Sequence, residues 1–536
     1  LKPNLHQTNY SGQEPPKLRV KIDLLIHNGN IITMDKQQAR AEALAVSNGR
    51  IIAIGSNAEL NALSEYADKV IDVANRTVLP GFIDTHAHLA ELGRRLLHLD
   101  MGEARSAEEA IGLLAKRVKD KIPGQLIIGY NWDESNWTKP RYLTREDLDP
   151  VTPKNPVVLI RVCGHLVSVN SLTLKQLSLD LNNSGVDRHP ETGELTGVLR
   201  DIEIDISKLS SEEEDRSQAI IEACRYANRV GVTSVHENLY RQQLPFLAEY
   251  IKLNQTQQLS VRVYANLETK LLDHLAGLGL PSGLGDEYFR LGGLKVFIDG
   301  SLGAQTAALS KPYTDKPDSH GLLLFNEAEY KFLLETANEL GLQVSTHAIG
   351  NRGIDLVIRS HEKTSKAEGV RKLRHNIIHA EQLSPSLIER VKQLDMLLLQ
   401  QPNFVHRWGL PGGMYDIRLG PERAEQLNNF RRILDAGIKV AFGSDCMPMD
   451  PMYGVYSATS HPNPAVRITI EEAIRLYTAD AAYASFEEDV KGTLEVGKFA
   501  DFIILSENPL QVKSEDLKNV KVLETYVGGQ CVFSSL

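Results

Sequence analysis

The sequence predicts an α/β protein: a (β/α)8 TIM-type barrel, a small β-sandwich built from both chain ends, and an inserted subdomain after the first barrel strand. Three observations carry this. Eight short apolar runs alternate with amphipathic helix-like segments through the middle of the 536-residue chain, the signature of a parallel sheet covered on both faces. Both ends are instead rich in short β-branched runs with Gly turns. One interval, residues 90 to about 225, is too long for a connecting loop.

In chain order, residues 1–18 ("LKPNLHQTNYSGQEPPKL") are polar and Pro/Gly-bearing, and read as a tail. Residues 19–78 hold "KIDLLIHNGNIITM" and "EALAVSNGRIIAIGS", whose Asn-Gly pairs signal hairpins and the N-terminal part of the sandwich. Residues 79–485 are expected to form the barrel, with strands at "VLPGFIDTHAH", "VTSVHE", "VRVYANL", "LGGLKVFIDG", "LQVSTHA", "HNIIHAE", "MLLLQQ" and "KVAFGSD". The insert at about 90–225 carries a helix at "SAEEAIGLLAKRVKDK" and a strand at "NPVVLIRV". Residues 486–536 return to short strands, "GKFADFIILS" and "KVLETYVGGQCVF", and complete the sandwich.

Composition narrows the partners. Apolar residues make up 42% and charged residues 24%, and the net charge is -10 with no basic stripe. That argues against nucleic acid and against an anionic membrane surface. No apolar run is long enough to span a bilayer. Four scattered cysteines form no CxxC pair and read as reduced thiols. A cytoplasmic protein acting on a small molecule is the expectation. The chain begins at Leu1, so a removed export signal is compatible with it.

The chemistry gathers at the strand ends. His86 and His88 lie two apart on a strand, so both rings aim the same way. They do so at the C-terminal end of the first barrel strand, where barrel enzymes place their chemistry. Two imidazoles there can share a borderline-soft cation such as Zn2+. His347 ends "QVSTHA", His379 ends "NIIHAE" and Asp445 ends "KVAFGSD", while Lys295 sits inside "LGGLKVFIDG". Each alone has a structural alternative: a hydrogen-bonded core His, a helix-capping Asp, a Lys paired with Asp299. Together, six such residues from five strands converge on one rim. A buried amine near cations loses its proton; it can then take up CO2 to give a carbamate able to bridge two metals.

"GFIDTHAHL", "LKVFIDGS", "STHAIG", "IIHAEQ", "FGSD" and "GTLEVGKFADFIIL" resemble the amidohydrolase superfamily, and more narrowly its YtcJ-like branch, the amidohydrolase 3 family that includes N-substituted formamide deformylases. The resemblance spans about residues 22 to 530. It implies a two-metal site, two Zn2+ with Mn2+, Fe2+ or Ni2+ as alternatives. His86, His88 and Asp445 would hold the first ion, His347 and His379 the second, and CO2-modified Lys295 would bridge them. Asp445 would be the catalytic proton shuttle. The implied reaction is hydrolysis of a C–N bond in an amide, formamide or N-acyl group. Metal-dependent phosphoester or lactone hydrolysis ranks second, and a non-catalytic metal-binding scaffold third. A homodimer fits the family type.

Weaker substrate-binding candidates are His165 in "GHLVSVNS", Trp132, Asp133 and Trp137 in "NWDESNW", His236 beside Glu237 in "TSVHE", and Arg352 in "IGNRGID". Packing of the insert's own core competes for the two tryptophans, and support of the ligands competes for His236 and Glu237.

Overall fold

Eight parallel strands run through the centre of the chain: β1 (Phe82–Ala87), β2 (Val232–Leu239), β3 (Arg262–Glu268), β4 (Phe289–Phe297), β5 (Val344–Ala348), β6 (Asn376–His379), β7 (Leu397–Gln400) and β8 (Val440–Phe442). Every neighbouring pair from β1 to β8 is parallel. The computed structural model describes residues 21–161, 166–177, 185–200, 216–364 and 371–536, with positions 179, 183, 202, 204 and 209 between them. All eight strands fall on the apolar runs read from the sequence.

Both faces of the strands are covered, which is why these segments are apolar throughout rather than alternating. All eight residues of β2 are buried. Val235 and Leu239 face the surrounding helices, while Asn238 turns inward to meet His86. Helices such as Glu327–Leu340, capped at Asn326 with a reciprocal Glu329 contact, sit between strands.

The sheet nearly closes on itself at the β8–β1 seam. Asp445 N–H donates to the His86 carbonyl at 2.7 Å, and Ser444 N–H donates to the Asp84 carboxylate at 2.9 Å. Gly443 sits in this seam. A Cβ there would lie 2.5 Å from His86 N and 2.9 Å from Asp84 Oδ1. Gly443→Ala is therefore expected to force the seam apart, at a cost of about 1–3 kcal/mol, read as a lower urea midpoint with weakened metal retention. An unchanged midpoint would mean that the seam yields freely.

Both chain ends build the sandwich. One sheet orders Arg50–Gly55, Ala43–Ser47, Leu24–His27 and Val70–Asp72. The other runs from Gln530–Ser534 through Val522–Val527, Phe502–Leu505, Thr77–Pro80 and Asn30–Ile32 to Arg40–Ala41. Phe502–Leu505 pairs antiparallel with Thr77–Pro80, joining the two ends of the chain. Leu24, Ile26, Leu44, Val78, Phe502 and Tyr526 share the core between the sheets.

The long interval after β1 carries its own mixed six-stranded sheet, from Leu99–Asp100 to Leu195–Arg200 and Val186–Arg188. Trp132, Trp137, Leu143, Leu148 and Leu159 fill its core. Among the described residues, no helix is long and apolar enough to cross a membrane.

Candidate metal centre

The strand ends deliver the six singled-out side chains to one cavity of about 470 Å3. His86, His88, Lys295, His347, His379 and Asp445 all line it. The imidazoles form a chain of ring contacts: centroids lie 5.2 Å apart for His88–His86, 5.2 Å for His86–His379 and 4.5 Å for His379–His347.

Asp445 is the hub of the first group. Its Oδ1 lies 3.1 Å from His88 Nε2 and 3.5 Å from His86 Nε2. One donor atom from each of the three residues lies within 4.8 Å of the others. Burial holds His86 well below the usual imidazole range, helped by Lys295 and the neighbouring rings. Imidazole nitrogens and a carboxylate oxygen are the donor types that suit a borderline cation. The donor set thus fits a divalent metal.

His347 and His379 form the second group. Burial lowers His347 to about 3 and takes His379 well below its ordinary value; Lys295 pushes both the same way. His347 Nε2 lies 3.0 Å from the Gly300 carbonyl, which leaves Nδ1 as its available donor atom. His379 Nδ1 is buried and has no partner among the described residues. Lys295 Nζ is likewise buried without a partner, 4.9 Å from the centre of the Phe297 ring. Burial lowers its pKa to about 7, against a smaller opposite pull from Asp445. Asp299 does not pair with it. Asp299 accepts instead from Ala308 N at 2.9 Å, Ile349 N at 3.0 Å and Gly350 N at 2.8 Å, and so fixes the turn that follows His347.

Two candidate ligand positions adopt a left-handed backbone: His379 and Ala380 at φ 71° and 47°, Asp445 and Cys446 at 56° and 55°. Such φ values are uncommon outside glycine and cluster where function holds a side chain against its local preference. Tethers over-determine both turns, Asp445 N to the His86 carbonyl and Ala380 N to the Ala348 carbonyl at 3.0 Å.

Around the candidate ligands stands a set of buried carboxylates that the sequence motifs largely did not single out. Asp84 accepts from His86 N at 3.1 Å and Ser444 N at 2.9 Å. Glu237 accepts from Leu89 N at 2.5 Å and Ala90 N at 3.0 Å, pinning the helix that starts after His88. Glu381 takes the Tyr415 hydroxyl. Burial pushes Asp84 to about 6, and Glu237, Asp299 and Glu381 to about 7. Each lies within four residues of a candidate ligand or bonds the backbone next to one, which is the signal that could have found them.

The weaker candidates fare differently. Trp132 and Trp137 do not line the cavity; their rings lie tilted, 6.0 Å apart, in the insert's own apolar core. Asp133 turns to Ser135 N at 3.1 Å and Arg161 Nη2 at 3.3 Å. His236 packs inside the barrel against Tyr264, with centroids 5.1 Å apart, two residues before the Asn238 that meets His86. Arg352 is exposed on the helix after β5. His165 lies outside the described residues. The rest of the cavity wall comes from Glu91, Arg95, Tyr240, Gln243, Phe297 and Met447, none of which the sequence reading singled out.

A parallel barrel with four imidazoles and an aspartate gathered at its strand ends defines a metal-dependent hydrolase of the amidohydrolase type. Comparison with known proteins places it more narrowly. A profile of the amidohydrolase family matches residues 69–533, and the chain belongs to that family. It is 30% identical to the putative amidohydrolase YtcJ of Bacillus subtilis, over 95% of this chain and 98% of that protein. It is 27% identical to the N-substituted formamide deformylase of Arthrobacter pascens, over 95% and 97% of the two chains. Among solved structures, an uncharacterized metal-dependent hydrolase from Pyrococcus furiosus superposes with a TM-score of 0.76 at 31% identity, covering 91% of this chain and all of that one.

Proposed function

We propose that this chain hydrolyses the C–N bond of a small amide, formamide or N-acyl amine, with Asp445 as the group that moves the proton. The observation that carries the reading is the convergence of His86, His88, Lys295, His347, His379 and Asp445 on one cavity. The likeness to a formamide deformylase supports the choice of bond. His86, His88 and Asp445 would hold one divalent ion, and His347 and His379 a second, with zinc the best match to the donors. Such ions supply Lewis acidity, acidifying water and drawing charge from a carbonyl oxygen.

The chain's own groups do the rest. Asp445 Oδ1 accepts a proton from the attacking water and returns it to the nitrogen as the C–N bond breaks, giving an acid and an amine. Lys295, buried and unpartnered, takes up CO2 at Nζ with loss of one proton. The resulting carbamate would satisfy the orphaned amine and add an anion between the two groups of imidazoles. Tyr240 stacks on His88 with ring centroids 5.4 Å apart, and Phe297 packs on His347 at 5.0 Å, narrowing the cavity around the ligands.

The test is a substrate screen on zinc-loaded protein with N-substituted formamides and N-acyl amines beside aryl phosphates and lactones. Amide turnover that chelation abolishes and zinc restores is the expected result, with intact mass showing one CO2 on the chain. Turnover of phosphates or lactones alone would overturn the reading.

A further inference from the structure

The cavity wall contains a cation that the hydrolytic reading does not use. Arg95 lies on the helix Leu89–Leu97, which begins immediately after His88. His88, Glu91 and Arg95 are spaced by three and four residues, so they share one face of that helix. All three line the cavity. Seven residues at about 1.5 Å rise put the Arg95 backbone roughly 10 Å along the helix axis from His88.

Two contacts hold the helix in place. Glu237 pins its first amides. On the opposite face, Gly93 crosses the helix Arg216–Arg229 so closely that a Cβ would lie 2.0 Å from the Ala219 carbonyl oxygen. Arg95 is thus presented from a fixed element rather than a loop.

The side chain has no hydrogen-bond or ion-pair partner among the described residues. Arg95 Nε is buried and unpaired, and no carboxylate lies within ion-pair distance of its guanidinium among the described residues. The nearest acid in sequence, Glu91, is held by Arg94 Nη1 at 3.2 Å. Asp445, the other acid of the cavity, faces the imidazoles. Leaving a desolvated donor unpaired is costly, so such groups point to a missing partner. A guanidinium offers a planar fork that matches a carboxylate with two parallel hydrogen bonds.

We infer that Arg95 is the anion subsite of this cavity and that the substrate is an amide bearing a carboxylate. The rest of the wall suits such a molecule: Tyr240, Phe297 and Met447 offer apolar surface, and Gln243 offers an amide. The inference rests on the amidohydrolase reading for the scissile bond, but the subsite itself rests on Arg95.

Matched probes test it. N-formyl-L-phenylalanine and N-formyl-2-phenylethylamine differ only by a carboxylate on the amine side. On the acyl side, N-benzylsuccinamate carries a carboxylate where N-benzylbutanamide carries a methyl group. The zinc-loaded wild type is expected to favour the acid of at least one pair by about 10- to 100-fold in kcat/KM. Arg95→Met should bring that ratio towards one, and Arg95→Lys, which keeps the charge without the fork, should retain part of it. The pair that shows the preference identifies the side of the amide that carries the acid.

Binding of the same probes is measured by calorimetry in the Asp445→Asn background, with and without Arg95→Met. A carboxylate preference in binding that depends on Arg95, with no amide hydrolysed, would leave the subsite standing and remove the proposed reaction. Equal rates and equal affinities for both members of each pair, unmoved by Arg95→Met, would overturn the subsite and leave amide hydrolysis intact.

Discussion

Asp445→Asn is expected to lower kcat by about 10²- to 10⁴-fold on any amide the wild type hydrolyses, the range for losing a positioned proton-transfer group. The substitution is well matched to the position. Asparagine has the same shape as aspartate and tolerates the left-handed backbone better than most residues, and Asp445 sits at φ 56°. Its N–H keeps the tether to the His86 carbonyl. What is lost is the negative charge and basicity of the carboxylate whose Oδ1 lies 3.1 Å from His88 Nε2 and 3.5 Å from His86 Nε2. Metal content measured beside kcat separates the two roles of the residue. Retained metal with lost turnover supports a proton carrier; lost metal with lost turnover assigns Asp445 to holding the ion. Full turnover with metal retained would remove it from the chemistry.

The same residue shows what could be read in advance. Strand identity was legible because eight buried parallel strands must be apolar on both faces, and "KVAFGSD" and its counterparts have no other stable use in a chain this long. The candidate ligands stood out in the sequence because His86, His347 and His379 lie at or next to the last residue of their strands and Asp445 follows its strand closely. Shape was not legible. The turn that aims Asp445 inward depends on two consecutive left-handed residues, held where the Asp445 amide donates to the His86 carbonyl across the β8–β1 seam, a pairing distant in sequence. Arg95 and Tyr240 escaped notice for a related reason. They sit on a helix and a loop, where an Arg or Tyr is ordinarily at the surface, and only the fold of the helix Leu89–Leu97 turns Arg95 towards the cavity. Trp132 and Trp137 failed as candidates in the opposite sense: large aromatics mark cavities and cores alike, and here the insert needed a core of its own.

Asp501→Asn should have the largest effect on stability, about 3–5 kcal/mol. Asp501 precedes the strand Phe502–Leu505 of the sandwich, and Arg262 opens β3 of the barrel. The two are 6% and 2% exposed and meet through paired bonds, Arg262 Nε to Oδ2 at 2.7 Å and Nη2 to Oδ1 at 3.0 Å. Gly528 N–H also donates to Oδ1 at 2.8 Å, so one carboxylate gathers a barrel strand and a sandwich turn. The guanidinium lies 3.8 Å from the centre of the Phe499 ring and 4.5 Å from that of Tyr288. An amide in place of the carboxylate leaves this guanidinium charged, desolvated and without its hydrogen-bonded counter-ion. The cost comes from the uncompensated charge rather than from the worth of the pair, so Arg262→Met with Asp501→Leu should recover most of it. A double-mutant cycle on urea midpoints measures the coupling. Hydrogen exchange should show the Phe502–Leu505 strand losing protection before the barrel strands in the single variant. A single variant that unfolds at the wild-type midpoint would show that the sandwich is held to the barrel by its apolar contacts alone.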